Sequence, residues 1–275
     1  MLKKALKLFL FLVLSVLLII AAVGIHRAWD RYNPIDYWLV KYGYNEFIPP
    51  RSIPDAHKIA APEMIAHGGG EIDGIQYTNS REALLQSIAR GYKFIEIDFK
   101  ETIEGELFGA HSSREFREFT ELADIGHIPP TNEQVRNARI HGKYTPIFLR
   151  EIYEILKHHP DVYLVTDKTR AYKAMLEQFP LPQQLIVETY KVGQYYRALK
   201  AGIWYPTFPG RAQDLRDHKA TLSVMGQGYW NNDPEIRKWA AESGHTAMVL
   251  TNNDCDNIDL PKGTLLYTDR CLPKR

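Results

Sequence analysis

From residue 64 onward the chain alternates short apolar runs with amphipathic stretches, and no other feature restricts its fold as strongly. The runs are Met64 to Ala66, Phe94 to Phe99, Val162 to Val165, Leu185 to Val187, Ile203 to Phe208, Thr221 to Met225, Ala247 to Thr251 and Leu265 to Thr268, which makes eight predicted strands. Between them, Ser80 to Arg90, Phe148 to His158, Ala171 to Phe179, Val192 to Ala201 and Asp233 to Ser243 place apolar residues at helical spacing. Asp233 suits an N-cap with Pro234 at the first helical position, and Gly91, Gly202 and Gly244 stand where helix ends favour a left-handed residue. Regular alternation predicts an α/β fold with a parallel sheet covered by helices. Eight repeats predict closure into a (β/α)8 TIM barrel, although an open doubly wound sheet satisfies the same alternation. The stretch from Ser112 to Tyr144 fits neither element and predicts an insertion over one barrel mouth.

The N-terminus obeys different rules. Lys3, Lys4 and Lys7 precede an almost purely apolar stretch from Leu8 to Ile25, long enough to cross most of a bilayer as a helix. An uncleaved anchor over residues 1–25 and a cleavable signal peptide both export the rest of the chain. The anchor is preferred, because the run exceeds a usual signal-peptide core and the small pair around Val23 leads straight into Ile25. Residues 26–62, rich in Tyr, Trp and Pro, read as a connector, and residues 63–275 as the barrel. The expected location is therefore membrane-anchored with the body outside the cytoplasm, periplasmic or extracellular. A net charge of +1 without a basic run excludes a nucleic-acid footprint.

The strand Phe94 to Phe99 alternates strictly, so Glu96 and Asp98 share one side and Ile95, Ile97 and Phe99 the other. In a barrel the apolar side faces the helices and the carboxylates face the axis. Unpaired charges buried there demand a cation or basic partners, and a hard metal ion is the natural partner; an exposed edge strand is the competing reading. His67 follows the first strand and precedes three glycines, while His111 ends a short apolar run after the turn at Thr102 to Gly105. Two imidazoles flanking inward carboxylates make a matched acid and base near neutral pH.

In order along the chain stand Ala66-His67-Gly68-Gly69, Thr78-Asn79-Ser80, Glu96-Ile97-Asp98, Thr102-Ile103-Glu104-Gly105 and His111-Ser112. This set resembles the glycerophosphodiester phosphodiesterases, whose pattern runs His-Arg-Gly, Glu-Asn-Thr/Ser, Glu-x-Asp, Thr-x-Asp-Gly and His-Asp. The resemblance extends to Tyr144-Thr145-Pro146-Ile147, Val187-Glu188-Thr189-Tyr190, Leu250-Thr251-Asn252-Asn253 and Tyr267-Thr268-Asp269-Arg270. It implies a phosphoric diester hydrolase with a divalent cation, Mg2+ or Ca2+, held by Glu96, Asp98 and a third acid, and with His67 and His111 as the proton-transfer pair. Asp167 is the expected third ligand and Lys168 the phosphate contact, although adjacent strand residues face inward together only if the chain bends. Glu188 is the reserve ligand, and Asn79 and Arg114 complete the expected phosphate and substrate contacts. The expected substrates are glycerophosphodiester-type small molecules or phospholipid-derived diesters.

Two departures stand out. Gly68 replaces the family's arginine and Ser112 its aspartate, with Arg114, Lys168 or Arg150 as substitute cations. These losses favour one rival, a non-catalytic phosphoryl-ligand binding barrel. Glu96 and Glu188 would serve another, a glycoside hydrolase. The two cysteines, Cys255 and Cys271, follow the last two predicted strands at one end of the barrel, within reach of a disulfide in an exported body.

Overall fold

The structure is a computed structural model that describes residues 12–18, 21, 63–123, 128–208, 222–225, 242, 246–249, 251–256 and 263–273. The chain divides into two units, Met1–Pro49 and Pro50–Arg275. In the first, residues 12–18 are helical, and Leu12, Leu14, Val16, Leu17 and Leu18 are exposed. No helix among the described residues is long and apolar enough to cross a membrane. The span expected from Leu8 to Ile25 lies largely outside those residues, as does the 26–62 connector.

In the second unit the strands are β1 (Glu63–Ala66), β2 (Phe94–Glu96), β3 (Phe99–Glu101), β4 (Leu107–Gly109), β5 (Tyr163–Thr166), β6 (Leu185–Val187), β7 (Tyr205–Pro206), β8 (Leu222–Met225), β9 (Thr246–Val249) and β10 (Thr264–Thr268). All except β3 and β4 form one parallel sheet in the order β7-β6-β5-β2-β1-β10-β9-β8. Except for β7 and β8, which stand at the two ends of this order among the described residues, each strand of the sheet pairs with the next one in sequence, and β1 pairs with β10, Ile65 standing opposite both Phe94 and Tyr267. A doubly wound sheet returns to its centre before winding outward again. Here the second half starts at the far edge and winds inward to β1, which is the order of a TIM-barrel-like α/β fold.

The covering helices are α1 (Arg81–Ala89), α4 (Leu149–Leu156), α5 (Tyr172–Gln178) and α6 (Val192–Ala201), close to their expected bounds; the helix expected from Asp233 lies outside the described residues apart from position 242. Ser80 caps α1 by accepting from the Ala83 N–H (3.2 Å), and Gly202 closes α6 at φ +106°. The expected insertion is a small packed layer. Its helices α2 (Ser113–Thr120) and α3 (Asn132–Asn137) bury Phe116 and Val135 with Phe108, Ala138, Ile140, Tyr144 and Phe148.

One expectation needs correction. Residues 94–99 are not a single strand: β2 stops at Glu96, and β3 begins an antiparallel hairpin with β4 at Phe99. The reason lies in Asp98, whose N–H is taken by Asn79 Oδ1 (2.9 Å) and whose carbonyl accepts from Ala110 (2.9 Å). With both backbone groups committed outside the parallel sheet, the ladder ends.

Period-two alternation builds the site on top of the core. Ile65, Phe94, Tyr163, Val165, Ile186, Tyr205, Met248, Leu265 and Tyr267 form one buried cluster, with Phe94 stacked on Tyr163 at 5.1 Å. Two residues beyond members of that set come His67, Glu96, Asp167, Glu188 and Asp269. The face that is apolar inside the sheet turns polar where the strands end, all at their C-terminal edge.

Candidate active site

Glu96, Asp98 and Asp167 each offer an oxygen within 4.8 Å of the others. All three are buried or nearly so, and Asp98 Oδ2 and Asp167 Oδ1 have no hydrogen-bond partner. Buried carboxylate oxygens without partners are costly unless something positive meets them. Burial, then repulsion from Asp98 and Asp167, holds the Glu96 carboxyl well above the usual range. Burial and Asp167 push Asp98 up to about 6. Burial also raises Asp167, but its interaction with Asp98 and the hydrogen bonds from Lys168 and Tyr190 outweigh it and leave that carboxyl low. Three clustered oxygen donors in excess of their cationic neighbours fit a hard divalent cation.

The chain bends after β5, so Asp167 and Lys168 both reach the carboxylate cluster. Lys168 Nζ donates to Asp167 Oδ2 (2.7 Å) and lies 3.6 Å from Asp98 Oδ1. Glu188 is not part of the three-acid cluster. It is buried behind it, joined through Tyr190, whose hydroxyl lies 2.7 Å from Asp167 Oδ2 and 3.2 Å from Glu188 Oε2. Burial, reinforced by Asp167, pushes Glu188 up to about 8.

The two histidines are oriented alike, each through Nδ1. His67 Nδ1 lies 3.0 Å from Asp269 Oδ1 and 3.0 Å from Thr251 Oγ1. His111 Nδ1 lies 2.5 Å from Glu115 Oε2, one turn along α2. With Nδ1 engaged in both rings, Nε2 is the atom left for proton exchange. Asn253 supports Asp269 by donating to its Oδ2 (2.5 Å) and accepting from its N–H (2.8 Å). The loop carrying Thr251 and Asn253 is fastened by the Cys255–Cys271 disulfide, with Cα atoms 5.2 Å apart.

Two residues expected as substrate contacts are engaged with protein groups. Asn79 is buried and holds Asp98 through its side chain, so it positions a cluster member. Arg114 is 88% exposed and paired with Glu118 (2.8 Å), because helix α2 turns it onto its outer side; Arg150 is paired with Glu106 at the surface (3.2 Å). Lys168 is thus the expected cation that the structure brings to the carboxylates. Ser112 accepts from Glu115 N–H (3.1 Å) as N-cap of α2, a duty its hydroxyl performs as aspartate would. Sequence reasoning assigned no role to Tyr77, Tyr190, Asn253 or Asp269. For Asp269 a signal existed, two residues past inward-facing Tyr267.

Comparison with solved structures places this arrangement on a known scaffold. A glycerophosphodiester phosphodiesterase from Thermotoga maritima superposes with TM-score 0.59 at 16% identity, covering 74% of this chain and 92% of that one. One from Parabacteroides distasonis gives 0.58 at 16%, covering 75% and 92%. This chain has the glycerophosphodiester phosphodiesterase fold. An Oleispira antarctica phosphodiesterase, solved with its product sn-glycerol-3-phosphate, gives 0.56 at 16%, covering 76% and 93%. No protein-family model and no curated protein matches the sequence.

Proposed function

We propose that the chain is a divalent-cation-dependent phosphodiesterase acting on glycerophosphodiester-type or phospholipid-derived diesters, with His67 and His111 as general acid and base. The observation that carries the reading is the placing of three converging buried carboxylates in one site with two histidines, each backed by its own carboxylate. Glu96, Asp98 and Asp167 would hold Mg2+ or Ca2+, which supplies neutralisation of the charge on the non-bridging oxygens as phosphorus becomes pentacoordinate.

The remaining work falls to side chains. Lys168, anchored by Asp167, presents positive charge beside the cluster and favours an anionic diester. One imidazole takes a proton at Nε2 from water or a neighbouring substrate hydroxyl, while the other delivers its proton to the leaving alkoxide. Asp269 and Glu115 stabilise the imidazolium form in turn. The products are an alcohol and a phosphomonoester, or a cyclic phosphate when a substrate hydroxyl attacks. The product in the Oleispira structure, a glycerol phosphate, is of the class expected.

The reading also includes a closed ring, with β7 meeting β8, and an exported body anchored by the apolar run at Leu8 to Ile25. The Cys255–Cys271 bridge supports export, since such bonds persist in oxidising compartments.

The test is hydrolysis of glycerophosphodiesters and an aryl phosphodiester with Mg2+ or Ca2+. Expected are loss of turnover with chelator, and loss in His67→Ala and His111→Ala with thermal unfolding preserved. Turnover that survives chelation would remove the cation from the mechanism, and binding without turnover would favour a non-catalytic receptor for phosphoryl ligands.

A further inference from the structure

Gly68 stands where the family resembled by the sequence carries arginine, and local geometry shows why no side chain is there. Its φ is +55°, and a Cβ on it would lie 2.7 Å from Tyr77 Cα and 3.4 Å from Tyr77 Cδ1. Tyr77 therefore occupies the volume beside His67 that a longer residue 68 would need. Tyr77 itself is left-handed, at φ +59°, an unfavourable conformation for an aromatic residue and one that persists only when its surroundings fix it. Asn79 does so, donating from Nδ2 to Tyr77 O (3.4 Å) and from its own N–H to Gly68 O (2.9 Å).

The ring held in this way packs against both histidines. It is edge-on to His67 at 4.4 Å and 65°, and to His111 at 6.0 Å and 70°. Burial first, then the charges of Asp269, Glu96 and Asp98, push its hydroxyl up to about 12, so the phenol remains a proton donor throughout the physiological range. It shares the small recess lined by Asn79, His111 and Glu115.

We propose that Tyr77 is a substrate-contacting residue whose hydroxyl donates a hydrogen bond to a phosphoryl oxygen, taking over with a neutral donor the contact that a charged residue at position 68 would make. The inference rests on the phosphodiesterase reading. A single O–H binds one oxygen without adding charge, whereas a guanidinium binds two and adds one. The site is left with Lys168 as the cation beside the carboxylates, so it discriminates less strongly than an arginine site between singly charged diesters and doubly charged monoesters.

The test is Tyr77→Phe, which keeps the ring and its contacts with both histidines. With a glycerophosphodiester and saturating Mg2+ or Ca2+, kcat/KM is expected to fall about 10- to 100-fold, the range for a hydrogen bond to a charged acceptor. Thermal unfolding and its shift by added cation are expected to match wild type. In parallel, calorimetric titration with sn-glycerol-3-phosphate is expected to show weaker binding by Tyr77→Phe. Kinetics and affinity within twofold of wild type overturn the proposal. If wild type binds the phosphate ester but turns over no diester, the phosphodiesterase reading fails while the titration still decides the role of Tyr77. Absence of both activities in wild type overturns both readings.

Discussion

Replacing Cys255 by Ser and Cys271 by Ala opens the loop that ties the segment after β9 to the end of β10. The bridge spans a sequence separation of 16, for which the loss of unfolded-state entropy amounts to about 3 kcal/mol. For a body of this size that corresponds to roughly 6 to 12 °C in Tm. Cys271 is buried, so alanine there also removes packing, whereas Cys255 is exposed and serine there is benign. Wild type treated with reductant separates the two contributions, since it loses the bond and keeps the sulfur. Activity is expected to fall as well, because Asn253 and Thr251 lie on the freed segment and support the Asp269–His67 pair. The assay is thermal and urea unfolding of oxidised wild type, reduced wild type and the double variant, with initial rates under each condition. Reduced wild type that unfolds within about 2 °C of the oxidised form would refute the argument. So would non-reducing peptide mapping of the purified protein that finds both cysteines freely alkylated.

Asn79→Ala is expected to lower stability by about 2 to 4 kcal/mol, combining an orphaned Asp98 N–H with alanine at φ +47°, read by urea denaturation. Glu96→Gln and Asp98→Asn should each reduce or abolish the rise in Tm that Mg2+ or Ca2+ produces in wild type; an unaltered shift would remove these ligands. Glu188 gives a pH signature. A carboxyl raised to about 8 in the folded state contributes stability below its unfolded value near 4.5 and loses it as pH climbs through 8. Glu188→Gln, without added cation, is therefore expected to raise Tm relative to wild type clearly more at pH 8 than at pH 5, and an equal difference at both pH values would contradict the assignment.

The apolar runs located the sheet because parallel strands covered on both faces are continuous in hydrophobicity, as Tyr163–Thr166 and Leu185–Val187 are. Glu96 and Asp98 were legible because strict alternation set two carboxylates against an apolar face, and His67 because it follows a strand and precedes three glycines. The break at Asp98 was not, because the Asn79 side chain that ends the strand comes from 19 residues away. The partner of Arg114 was not legible either, because α2 begins between it and His111 and turns the guanidinium toward Glu118. Tyr77 was hidden by the glycine beside it, whose empty volume becomes meaningful only when its occupant is known.

The pairing of β1 with β10 has a consequence for biosynthesis. His67 follows the earliest strand of the body to be made, and Asp269, which orients it, follows the latest, with Glu63 opposite Leu265 in the register between them. Synthesis from one to the other therefore produces intermediates that hold the carboxylate cluster and both imidazoles but lack the partner of one. A nascent or truncated body missing β10 leaves β1 with an open edge and His67 unoriented, so the His67–Asp269 pair is completed only when β10 docks on β1. Proteolytic clipping between Cys255 and β10 would leave the two pieces joined by the disulfide, and a nicked protein would stay assembled until reduced.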